Sequence, residues 1–242
     1  MRNIAIRLGD VEMEDIAATL SAVDLFQDLN KQELAEVACF CRRADYLRGQ
    51  EIVCYQDTTT DVYFIKSGRV GISILSHGGK EIGFRHLAAG EMFGDLAAID
   101  SSSRSASAVS LSTVELVRIS SAEFHRILIK YPAVNLRLLQ RLTMLIRALS
   151  DRIYEFTTLG VSNRIQAELL RLAKAHMTGP NIANIYPAPT HADIANQVST
   201  HREAVSREFS RLAADGIIER RGRNLIVHDV ARLEQMINDV ES

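Results

Sequence analysis

Thr200-His201-Arg202-Glu203-Ala204-Val205-Ser206-Arg207 joins a helix start to three charged side chains spaced to read base edges. Thr200 and Glu203 fit the capping-box pattern, which predicts a helix from about His201. Arg202 and Glu203 then share its first turn, and Arg207 follows one turn after Glu203. In a major groove an arginine fork matches guanine O6 and N7, and a glutamate accepts from cytosine N4. Val205, Phe209 and Leu212 repeat at helical spacing and would anchor the helix from behind. The plainer alternative is a solvated surface helix in which Glu203 and Arg207 form an i,i+4 pair.

The flanking sequence favours the first reading. Thr190-His191-Ala192-Asp193 is a second capped start, with Asp in place of the usual Glu or Gln, and Ile194, Ala195 and Val198 give it an apolar face. The turn at Ser199-Thr200 leads straight into the next helix. Two short helices across a tight turn form a helix-turn-helix whose second helix enters the groove. Asp215-Gly216 ends that helix. Ile217-Ile218-Glu219-Arg220 and Leu225-Ile226-Val227-His228 then read as two strands around Arg221-Gly222-Arg223-Asn224, the wing of a winged helix. The DNA-facing set expected is Thr200, His201, Arg202, Glu203, Ser206 and Arg207, with Arg221 and Arg223, and Arg220 beside them, on phosphates.

The 242 residues carry a formal net charge of −2 and are 47% hydrophobic and 24% charged, a globular composition with room for two domains. From Gly160 to His228 there are nine Lys/Arg against six Asp/Glu, so the basic side lies with the helix-turn-helix. A local basic face on a mildly acidic chain suits a specific regulator better than a packaging protein. Cys39, Cys41 and Cys54 are an odd number without a secretory leader, which predicts a reducing cytoplasm and buried structural thiols. No apolar run approaches a membrane span. Cys39-x-Cys41 lacks a second pair and no HxxxH occurs, so no metal site is expected. No Ser-His-Asp, Walker or HExxH arrangement is present, so no enzyme and no catalytic residue is expected.

Toward the N-terminus the texture changes. Residues from about Glu14 to Arg42 read as two short helices. From Arg43 to about Ser120, Val62–Ile65, Val70–Leu75, Ile82–Phe84 and Val114–Ile119 alternate with turns such as Ser67-Gly68 and His77-Gly78-Gly79, predicting a barrel or sandwich of jelly-roll type. From Pro132 to about Leu159 the period is helical. Leu138, Leu142, Leu145, Leu149 and Phe156 make one stripe, and Leu139, Ile146 and Ile153 a second. That face is wide enough for a partner helix, and a two-fold dimer is how a helix-turn-helix reads a palindrome. Thr157-Thr158-Leu159-Gly160 interrupts the pattern and reads as a hinge. Residues 176–189 read as a loop, and Asp229 caps a last helix carrying Leu233, Ile237 and Val240. The fold class is thus α+β, with an N-terminal β-roll over residues 1–131, a long dimerisation helix over 132–159 and a winged helix-turn-helix over 160–242.

Inside the β-region, Gly94-Asp95-Leu96 precedes Arg104-Ser105-Ala106. A glycine admits close backbone approach, Asp95–Ala98 opens a short helix, and Arg104 with the Ser105 hydroxyl can hold phosphate oxygens. An acid beside such a site suits a ribose 2′-hydroxyl. The alternative is a surface turn with one exposed arginine.

Gly94-Asp95-Leu96, Arg104-Ser105-Ala106 and the Thr200–Arg207 helix together resemble the bacterial Crp/Fnr regulators, the cyclic-AMP receptor branch in particular, from about Leu20 to His228. The resemblance implies a cyclic-nucleotide-binding β-roll, a long dimer helix and a winged helix. It implies Gly94, Asp95 and Leu96 at ribose and phosphate, Arg104 and Ser105 on the cyclic phosphate, and Arg202, Glu203 and Arg207 on a TGTGA-like half-site. It further implies a cytoplasmic homodimer that binds double-stranded DNA and RNA polymerase. Two departures stand out. The family usually has Glu at Asp95, and its purine-facing Thr-Ser pair falls on Leu149-Ser150 here. Losing that threonine predicts cyclic AMP as ligand with weak discrimination against cyclic GMP. A haem sensor using His77, an iron–sulfur sensor, and a cyclic-nucleotide module serving an enzyme or channel are the other readings. The first lacks a convincing ligand set, the second lacks N-terminal cysteines, and the third sits poorly with a helix-turn-helix.

Overall fold

A computed structural model describes residues 2–75 and 81–238; His77 and Val240 lie outside the described residues. The chain divides into two compact units, Met1–Leu145 and Ile146–Ser242.

The first unit begins with α1 (Arg2–Ser21), a 3-10 turn (Asp24–Phe26) and α2 (Lys31–Ala38). Asn30 caps α2 with a full capping box closed by Glu33. Eight strands come next: β1 (Arg42–Tyr46), β2 (Glu51–Val53), β3 (Val62–Ser67), β4 (Arg69–Leu75), β5 (Glu81–Ala88), β6 (Met92–Phe93), β7 (Ser107–Ser110) and β8 (Val114–Ile119). They form two antiparallel sheets, ordered β1-β8-β3-β6 and β2-β7-β4-β5, whose neighbours are mostly distant in sequence. That interleaving is the expected roll.

Strand β3 shows why the sequence chooses it. Val62–Ile65 is apolar without alternation, and all four side chains are buried. Tyr63 and Ile65 face Val70, Leu87, Phe93 and Leu116 between the sheets. Val62 and Phe64 face the helices, with Leu20, Phe26, Val37 and Phe124. Each large side chain buried this way contributes about 1.5–3 kcal/mol. Short α3 (Asp95–Asp100) lies between β6 and β7, as expected. Helix α4 (Ser121–Lys130), capped by Ser120, escaped the sequence reading, as did β1, β2, β6 and β7. Those four strands are too short or too polar to show a period. Helix α5 (Pro132–Thr158) starts with proline in its first turn, where no amide partner is required.

The second unit holds the remainder of α5, then α6 (Val161–Ala175), β9 (Ala183–Ile185), α7 (His191–Gln197), α8 (Arg202–Ala214), β10 (Ile218–Arg221), β11 (Asn224–Val227) and α9 (Val230–Asn238). Its core joins Ile165, Leu169, Ile194, Val205, Phe209, Leu212, Leu225 and Leu233. The β10-β11-β9 sheet places a strand where a loop was expected. The wing turn is also tighter than the sequence suggests. Arg221 pairs with Asn224, leaving Gly222-Arg223 as the turn, with Gly222 at φ +59.

Two expectations require correction. Thr190 and Asp193 form their capping box, but Thr200 and Glu203 do not. The Thr200 amide donates to the Ala195 carbonyl at 2.9 Å, and Ser199 sits at φ +50. The tight turn therefore takes up the amide that Glu203 would have accepted, and the cap moves to His201 without a side-chain bond. The cysteines are all free thiols, but only Cys41 is buried, and burial pushes it up to about 12. Cys39 and Cys54 are exposed at the end of α2 and after β2.

Candidate functional site

Gly94 is the N-cap of α3 and adopts φ +85, a left-handed conformation that favours glycine. A Cβ there would lie 2.6 Å from the Asp61 carbonyl oxygen and 2.7 Å from Arg104 Nη1. Glycine thus makes room for an arginine. Arg104 is only 3% exposed. Its Nη1 donates to the Gly94 carbonyl at 3.0 Å, Nη2 to the Asp61 carbonyl at 2.9 Å and Nε to Thr59 Oγ1 at 3.2 Å. Its backbone is fixed too, by bonds with Gln56 and Asp57. Burial lowers the Arg104 pKa, against the pull of Tyr63, Asp61 and Asp57. A guanidinium remains charged throughout. Each terminal nitrogen also keeps a second N–H beyond the bonds just described.

Asp95 is buried next to Gly94. Its Oδ2 lies 3.5 Å from Nε of Arg141 on α5, and Arg141 Nη2 donates to the Met92 carbonyl at 3.0 Å. Thr59, Asp61 and Arg141 were absent from the sequence reading. An arginine in an apolar helix stripe was the one visible signal. Gly94, Asp95 and Arg104 are brought together as expected, while Leu96 and Ser105 are exposed at their side. Leu149 and Ser150 lie about two turns beyond Arg141 on α5. Both are exposed, and Ser150 Oγ donates to the Ile146 carbonyl of its own helix at 3.0 Å. Ile146, Ile153 and Leu149 remain 64%, 65% and 50% exposed, so an apolar stripe on α5 is left uncovered.

Helix α8, expected to read bases, contrasts with its neighbours. Val205, Phe209 and Leu212 are buried as anchors. His201, Arg202, Glu203, Ser206 and Arg207 are exposed, with Thr200 half-buried. Among the described residues no ion pair engages Arg202, Glu203 or Arg207, so the simple i,i+4 pair is not formed. One turn later Arg211 pairs with both Glu208 and Asp215. In the wing, Arg221 pairs with Glu219 at 2.6 Å, Arg220 reaches the Pro189 carbonyl at 3.5 Å, and Arg223 lies over the Tyr186 ring at 5.5 Å. Among the described residues no His/Cys/Asp/Glu cluster could hold a metal, and no helix is long and apolar enough to cross a membrane.

A β-roll in the first unit and a winged helix-turn-helix in the second define the architecture. The cyclic nucleotide-binding domain family matches residues 43–131, and the Crp-like helix-turn-helix domain family matches residues 163–236. The chain belongs to the Crp/Fnr family of transcription regulators and is not an enzyme. It is 28% identical to the cyclic AMP receptor protein of Thermus thermophilus over 215 residues, covering 88% of this chain and 95% of that one. The catabolite activator protein structure from Thermus thermophilus has 26% identity and a TM-score of 0.54, covering 90% of this chain and 99% of that one. A CooA mutant from Carboxydothermus hydrogenoformans, with 21% identity, shares the fold at a TM-score of 0.73 over 82% of this chain and 88% of that one.

Proposed function

We propose that cyclic AMP, bound in the first unit, promotes binding of a homodimer to a palindromic TGTGA-like site. The observation that carries this reading is Arg104, buried at the carbonyl of a left-handed Gly94 with the Asp95 carboxylate alongside. The Thermus thermophilus relative named for cyclic AMP supports the same ligand. The free N–H groups of Arg104, with the Ser105 hydroxyl, meet the cyclic phosphate. Asp95, steered by Arg141, accepts from the ribose 2′-hydroxyl, and Leu96 closes the edge. Leu149 and Ser150 face the purine. Without a hydroxyl at Leu149 the pocket separates cyclic AMP from cyclic GMP poorly.

Residues 1–131 form the nucleotide-binding part, 132–159 the dimer helix and 160–242 the DNA-binding part. The uncovered α5 stripe is the dimer seam, since exposed apolar patches of this kind mark interfaces. Thr200, His201, Arg202, Glu203, Ser206 and Arg207 face the groove, and Arg221 and Arg223 face phosphates. The protein works in the cytoplasm and engages RNA polymerase there. Nucleotide and DNA strengthen each other's binding by an equal factor.

A gel shift on a TGTGA-type palindrome, without nucleotide and with each one, tests the core of this. The shift is expected with either nucleotide and lost without both. Equal DNA binding in all three conditions overturns it. Calorimetry tests the selectivity: a cyclic AMP preference above about a thousandfold, roughly 4 kcal/mol, defeats the Leu149 argument.

A further inference from the structure

Arg152 stands near the end of α5, outside the residue sets assigned above to nucleotide and DNA. Its Nη1 donates to the Gln197 carbonyl at 2.5 Å, and its Nη2 reaches Gln197 Oε1 and Glu168 Oε2, each at 3.2 Å. Gln197 is the last residue of α7. Its carbonyl is among those a helix end leaves unpaired, at the negative pole of the helix dipole. A guanidinium satisfies both conditions. The turn at 198–200 comes directly after and aims α8.

The anchor on α6 is firm. The Glu168 side chain is 8% exposed and also pairs with Arg171, which reaches back to Glu155 on α5 at 2.7 Å. Arg152, Glu168, Arg171 and Glu155 form a chain of alternating charge between α5 and α6. With Arg152 removed, Glu168 keeps Arg171, but the Gln197 carbonyl loses its side-chain donor.

The supposed hinge lies inside this bracing. Gly160 is the N-cap of α6 at φ −64, a conformation open to any residue, and a Cβ there would meet nothing within 4 Å. On either side of it, Leu159 packs with Ala167 and Ile237, and Arg164 lies 5.1 Å from the Phe156 ring centroid while donating to the Leu159 carbonyl. Nothing about this glycine is required for a bend.

We propose that Arg152 is a positioning residue that fastens the helix-turn-helix to the last turns of α5, so that movements of α5 reach the reading helix directly and Gly160 is no swivel. The fastening stands on these contacts alone; its use in signalling rests on the function proposed above. Hydrogen exchange on the full chain, free of nucleotide and DNA, tests the fastening. In Arg152→Ala the amides of α7 and its following turn should exchange about tenfold faster, with those of the first unit unchanged. Unchanged exchange at α7 overturns the proposal. Should that variant fail to fold, Glu168→Gln carries the same expectation.

DNA anisotropy with and without cyclic AMP tests transmission. Arg152→Ala should cut the nucleotide-driven gain in DNA affinity by about tenfold, Arg152→Lys should restore part of it, and Gly160→Ala should keep it within about twofold. A merely structural Arg152 would lower both DNA affinities by one factor and leave the gain intact, which overturns the proposal, as does loss of the gain in Gly160→Ala. A wild-type protein without any gain overturns the cyclic-nucleotide reading instead, and the exchange result still decides the fastening.

Discussion

The Gly94–Arg104 cluster and helix α8, the proposed nucleotide and DNA sites, both carry arginine, yet they hold it in opposite ways. Arg104 is buried and commits donors to Gly94, Asp61 and Thr59 before any ligand arrives. Arg202 and Arg207 are exposed and, among the described residues, meet no acid. On the proposed function a small anion must be enclosed, which suits a cluster built in advance as part of the fold. A duplex brings its own dense charge, so its readers need only a rigid helix behind them. Damage to the first region should therefore reach the fold as well as the ligand, while damage to the second should reach DNA alone.

The strongest test of that contrast is Arg104→Ala. Nucleotide affinity should fall on the order of 100-fold, because charge-assisted bonds to phosphate are lost, as calorimetry would show. DNA binding should no longer respond to nucleotide, and full nucleotide response in this variant defeats the pocket assignment. Gly94→Ala comes next. A methyl forced against Asp61 and Arg104 at positive φ should cost about 2 kcal/mol of stability, read as a lowered Tm, and should weaken nucleotide binding with it. A wild-type Tm would break the claim that this site is built into the fold. Arg202→Ala should weaken operator binding by about tenfold and leave both Tm and nucleotide binding alone. A large fall in Tm would erase the contrast from the other side. The smallest effect sharpens the view of the helix-turn-helix. Thr190→Ala should cost about 1 kcal/mol, since its cap is formed, whereas Thr200→Ala should cost under about 0.5 kcal/mol, since its cap is not. Equal losses in chemical denaturation would restore the cap at Thr200.

Much of this was legible in advance for a local reason. The apolar run Val62–Ile65 and the periods of Val114–Ile119 and the α5 stripe each lie within one element. The Thr190 cap, the Asp229 cap of α9 and the anchors Val205, Phe209 and Leu212 are also read within a turn or two. Short β2, β6 and β7 have no period to read and exist because neighbours offer them edges, β3 to β6, β4 to β7 and β7 in turn to β2. Strand β9 hides in a polar stretch for the same cause, paired to β11.

The sequence by itself determined the succession of β-roll, long helix and winged helix, the glycine-acid and arginine-serine segments, and the charges on α8, because each is set by neighbours a few residues away. Only the tertiary structure decided that Arg104 closes on Gly94 and Asp61, that Arg141 finds Asp95, and that Arg152 reaches the end of α7. It also overruled the Thr200 cap by giving that amide to Ala195. In each case the partner is chosen by which backbone groups and charges burial leaves unsatisfied, and that is settled only when distant segments pack.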